Sequence, residues 1–128
     1  MDRDLAPAYR TIRDTLEAEL DALGFRLDAD TYHYSSFGSA QAEYHRRGLR
    51  LRLTWDGKDR WAWVVYAAQP TSAFPDPRSY RDLDSGECGR SAFGPSLTSE
   101  AEVVGRAREL VERIRSVAAG KNPRRRAV

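Results

Sequence analysis

Lysine, cysteine and histidine are almost missing from this chain of 128 residues. Lys58 and Lys121 are its two lysines, Cys88 its one cysteine, and His33 and His45 its two histidines. A lone cysteine excludes an internal disulfide and a four-cysteine zinc site. The two histidines lack the spacing of a helical metal pair, and with Cys88 and scattered acids they make no recognisable ligand set. The expectation is a chain without metal or cofactor. No apolar run approaches the length of a membrane span. The opening "MDRDLAPAYR" lacks the basic-then-apolar layout of a secretory signal, which points to the cytoplasm and away from the membrane. The glycines are scattered and none opens a helix after a strand, so a phosphate-cradling loop is not expected.

What is abundant is arginine, balanced by acid. The net charge of +2 is an average over two unlike parts. The last eight residues, "KNPRRRAV", hold four of the 21 cations, so residues 1–120 carry 17 against 19 acids and a net charge of −2. A uniformly basic domain would make nucleic acid the default partner; this chain does not meet that condition. Its length suits one domain with a proper core. We read residues 1–120 as that domain and 121–128 as a basic tail without fixed structure.

Apolar periodicity places a helix over 4–23, where Leu5, Tyr9, Ile12, Leu16, Leu20 and Leu23 share a stripe, with Asp4 as cap and Gly24 as stop. A second helix over 98–119 opens on Ser99 and Glu102 at capping-box spacing. Between them, alternation marks strands near 25–30 and 40–47. A hairpin follows in "LRLRLTWDGKDRWAWVV", which holds all three tryptophans. An odd-length loop at Asp56-Gly57 would set Leu53 opposite Trp61 or Trp63 and gather Trp55, Trp61 and Trp63 into the core. Segment 69–96 is rich in Pro, Gly, Ser and Asp, and "SYRDLD" within it suits a helical turn or a short strand. The fold class that follows is α+β: a two-layer sandwich, with an antiparallel sheet of three to four strands packed against an N-terminal and a C-terminal helix.

Catalytic patterns are weak. Cys88 lies between glycines beside Arg90, but no nucleophile signature surrounds it. Asp76, Asp82, Asp84 and Glu87 form an acidic loop in which nothing marks one carboxylate for an apolar pocket. No catalytic residue is assigned. The binding candidates are Arg50, Arg52 and Tyr66, expected on the open face of the sheet, with Tyr80, Asp82 and Asp84 in the loop. Arginine and aromatic residues are the types enriched at interfaces. The same arginines, with the basic tail, suit single-stranded nucleic acid as an alternative.

The stretch "FGSAQAEYHRRGLRLRLTWDGKDRWAWVV" resembles the layout of small bacterial immunity-type and companion proteins. Phe37, Gly38 and the hairpin over 49–65 carry the likeness, under a third of the chain. It implies a helix, a sheet and a closing helix, and a protein that neutralises a partner toxin through charged surfaces without catalysis of its own. Where such proteins have a compact loop after the last strand, this chain has the long segment 69–96. The expectation is therefore a protein-binding module, monomer or homodimer. A free sheet edge such as 40–47 would offer a route to self-pairing.

Overall fold

The computed structural model describes residues 6–33, 38–68, 80–87 and 94–120. Helix α1 spans Pro7–Ala22 and α2 spans Glu100–Ala118. Between them come β1 (Arg26–His33), β2 (Ser39–Arg46), β3 (Leu49–Asp56), β4 (Trp61–Ala68) and β5 (Arg81–Asp82). The strands form one antiparallel meander in the order β1-β2-β3-β4-β5. The α+β class holds, with five strands in place of three to four; the addition is the two-residue β5, inside "SYRDLD". Segment 40–47 is flanked on both sides, so the outer strand on that side is β1.

Helix α1 buries Tyr9, Ile12, Leu16 and Leu20 on one stripe and starts with Pro7 in its first turn, where no donor is lost. The expected cap, Asp4, lies outside the described residues. At the other end Gly24 takes φ +87°, Gly24 N–H donates to the Asp21 carbonyl, and Phe25 N–H donates to Leu20 at 2.9 Å. This is a Schellman closure, with Leu20 and Phe25 as its apolar pair. Helix α2 opens with the anticipated capping box: Ser99 accepts from Glu102 N–H, and the Glu102 carboxylate accepts from Ser99 N–H.

The helices lie side by side and point the same way. The Glu19 carboxylate accepts two hydrogen bonds from Arg115, at 2.8 and 2.7 Å. One arginine of β2 closes both C-termini: Arg46 donates to the Leu23 carbonyl at 3.0 Å and the Ala118 carbonyl at 2.7 Å, with its guanidinium 5.3 Å from the Phe25 ring centre. Parallel macrodipoles repel, and a cation shared by their negative ends offsets that repulsion.

The hairpin departs from its expected register. Asp56 pairs with Trp61 across a four-residue loop, so Leu53 faces Val64, Leu51 faces Tyr66 and Trp55 faces Ala62. Asp56 Oδ1 accepts from Lys58 and Asp59 N–H, and Arg60 adopts φ +53°, which turns the chain back with an even residue count. Ala40, Ala42, Tyr44, Leu51, Leu53, Trp55, Val64 and Tyr66 then line the helix side and form the main core with both helices. Trp55 is fully buried there. Trp61 also joins this core, under the α2 residue Arg106, whose guanidinium is 4.1 Å from its ring centre. Gly94 makes room for that ring, since a Cβ at this position would come within 2.3 Å of it. Trp63, opposite Thr54, lies by register on the other face and is half-buried, so it packs against this core without being enclosed in it as Trp55 and Trp61 are.

Candidate partner-binding face

The register fixes which residues share the helix-free face, the side of the sheet on which no helix packs among the described residues. Across β1–β4 one row reads Arg26, His45, Arg50, Ala67; the next reads Ala29, Glu43, Arg52, Val65; a third reads Thr31, Gln41, Thr54, Trp63. A bulge between Leu27 and Ala29 leaves Asp28 without a cross-strand partner. Bulges re-aim side chains, and this one swings Asp28 onto the arginine row. Its Oδ1 lies 2.6 Å from His45 Nδ1 and its Oδ2 accepts from Arg50 at 2.9 Å.

Arg52 is held from two sides. Its Nη2 lies 3.6 Å from a Glu43 oxygen, and its guanidinium stands 4.7 Å from the Tyr80 ring centre. Tyr80 is buried with Val65 and Ala67 in a second, smaller apolar cluster on this face, against which Trp63 packs. Arg50 and Arg52 thus share the expected face, and Tyr80, expected in the loop, packs against that face under Arg52.

The other three candidates lie elsewhere. Tyr66 points to the helix side and is buried in the main core; burial pushes its phenol upward and keeps it protonated. The cause is parity, because an even loop sends Tyr66 opposite Leu51. Asp82 is buried and shapes its own turn, accepting from Asp84 N–H and the Ser85 hydroxyl. Asp84 sits beside the middle of α2, where both carboxylate oxygens accept from Arg106 at 3.0 and 2.8 Å and Arg113 donates to it as well. Burial opposes its ionisation, but the two guanidinium partners hold its carboxyl below the usual range. Asp84 therefore latches α2 to the sheet and is not a docking group.

Asp28, Glu43, His45 and Trp63 complete the face, and sequence reading did not assign them to a site. Strict alternation in "RLDADTYH" conceals the bulge, while Trp63 would have followed from a correct loop length. By charge the face is mixed: Arg26, Arg50 and Arg52 stand against Asp28 and Glu43. Among the described residues no three His, Cys, Asp or Glu side chains cluster as a metal site, and no helix is long and apolar enough to cross a membrane. Cys88, Arg90 and Asp76 lie outside the described residues. Comparison with protein-family models, with curated proteins and with solved structures returned no significant match for this chain.

Proposed function

We propose that this chain is a cytoplasmic, non-catalytic protein-binding module of the immunity or inhibitor type, and that it holds its partner protein on the helix-free face of the sheet. The observation that carries the reading is the seating of Arg52 between Glu43 and the Tyr80 ring, on the same face as half-buried Trp63. Tryptophan, tyrosine and arginine dominate binding energy at protein interfaces. Here Arg52 and Trp63 are already ordered by intramolecular contacts, Arg52 against the ring of buried Tyr80, so less side-chain entropy is lost on association. The near balance of charge favours a protein partner over nucleic acid, whose affinity rests on unpaired cations releasing counterions from phosphates.

The test is capture from host lysate with the tagged full-length chain, with and without nuclease, beside Arg52→Ala and Trp63→Ala variants. One protein recovered in stoichiometric amount, resistant to nuclease and lost with both variants, is the expected result. Recovery that disappears with nuclease would move the face to nucleic acid. A partner retained equally by both variants would refute the assignment of this face.

A further inference from the structure

Independently of the helix-free face, the helix side carries a second feature. Leu27 is 51% exposed, and it is the one large apolar side chain left exposed among the described residues. Its partner in β2 is Tyr44, which puts Leu27 on the helix side just before the bulge reverses the alternation. There it borders a groove of about 400 Å3 between the C-terminal half of α1 and β1. Leu20, Phe25 and Tyr44 form a buried floor, and Ala18 leaves the α1 wall low.

The electrostatics of the groove are one-sided. Glu17 and Asp21, one helical turn apart, line it, and no lysine or arginine does. The Tyr44 hydroxyl donates to Glu17 at 2.8 Å and fixes that carboxylate at the rim. Burial and the hydrogen bond to Glu17 raise the Tyr44 phenol, so it stays a donor. Arg46, which stacks on Phe25, is committed to two helix carbonyls and does not line the groove.

An exposed leucine over an apolar floor, with two carboxylates and no cation in the lining, defines its ligand by complementarity. We propose that this groove docks an extended basic segment of a partner protein, with one apolar side chain seated against Leu27 and Phe25 and its cations over Glu17 and Asp21. The volume falls in the range of ligand pockets. β1 is the outermost strand, so among the described residues no further strand flanks the groove on that side. The bulge at Leu27/Ala29 interrupts the strand edge, so the segment lies in the groove and does not extend the sheet.

A fluorescein-labelled heptapeptide of alternating leucine and arginine, titrated with the full-length chain and read by anisotropy, tests this. Saturable binding should weaken at least tenfold for Leu27→Ser and for the pair Glu17→Gln/Asp21→Asn. It should be lost when glutamate replaces arginine in the peptide, and be unchanged in Arg50→Ala/Arg52→Ala. Leu27 and Asp21 are exposed, and Glu17→Gln retains an oxygen that can accept from the Tyr44 hydroxyl; a thermal melt checks that each variant keeps the fold. Equal affinity in the groove variants, or loss confined to the Arg50/Arg52 variant, would overturn the proposal.

Discussion

Asp84→Ala removes one side chain from the contact that locks α2 to the sheet. The Arg106 side chain is 3% exposed, with its Nε on the Ala62 carbonyl at 2.9 Å and its face on Trp61. Without Asp84 it keeps Glu109 but loses its two-pronged partner. Breaking a buried pair from one side costs about 3–5 kcal/mol. Asp84 is one-fifth exposed and Glu109 remains, which places the cost at the lower end, about 3 kcal/mol. For a domain of this length each kcal/mol shifts Tm by about 4 °C, so Tm should fall by roughly 12 °C. Urea titration should show the same loss as a lower midpoint with unchanged slope. The pH dependence has a definite sign. The folded carboxyl titrates below its unfolded value, so its contribution is complete above the ordinary aspartate range and fades as pH falls through the folded value. The deficit of the variant at pH 7 should therefore shrink in strong acid. Adding Arg106→Met should restore part of the loss, since an apolar residue no longer buries an unmatched charge. A deficit below about 1 kcal/mol at pH 7, or one that does not change with pH, would refute the latch.

The tryptophans and Arg46 give sharper contrasts. Trp55→Ala should cost about 3–5 kcal/mol as a truncation in the main core, whereas half-buried Trp63→Ala should cost about half as much and abolish partner capture; denaturant midpoints and pull-downs separate the two. Arg46→Met keeps the apolar stem over Phe25 but removes two charged donors from helix carbonyls. It should lose about 2–4 kcal/mol, read by thermal melts, and a neutral outcome would show that water replaces the guanidinium at both helix ends.

Both helices and the β3–β4 hairpin were legible because each carries an uninterrupted period and local punctuation: Gly24 and Gly120 at the stops, Ser99 and Glu102 at a start. Face assignment failed where the pattern lost its parity. In β4 the run from Trp61 to Ala67 is apolar at every position and mostly buried on both sides, so alternation cannot say which residues share a face. The deciding information sits in the loop, where the Asp56 side chain and the left-handed Arg60 set an even count. β1 failed for a related reason, since its bulge reverses the faces within a sequence that alternates on paper. Arg50 and Arg52 survived because β3 alternates strictly. Asp84 was misread because its partners lie 22 and 29 residues away, on a helix whose outer face looks uniformly charged.

The side-by-side helices also constrain how the chain acquires its structure in time. Neighbouring strands from β1 to β4 are joined in sequence order, so their pairing closes only short loops. The contacts that seat α2 span 44, 72 and 96 residues, from Arg106 to Ala62, Arg46 to Ala118 and Arg115 to Glu19. Such separations slow folding. On a ribosome adding about 5–20 residues per second, the 50 residues from Ala68 to Ala118 take roughly 3–10 seconds. Throughout that interval Leu53, Trp55 and Val64 lack the α2 side chains that share their core, and the nascent meander carries exposed apolar surface until α2 is made.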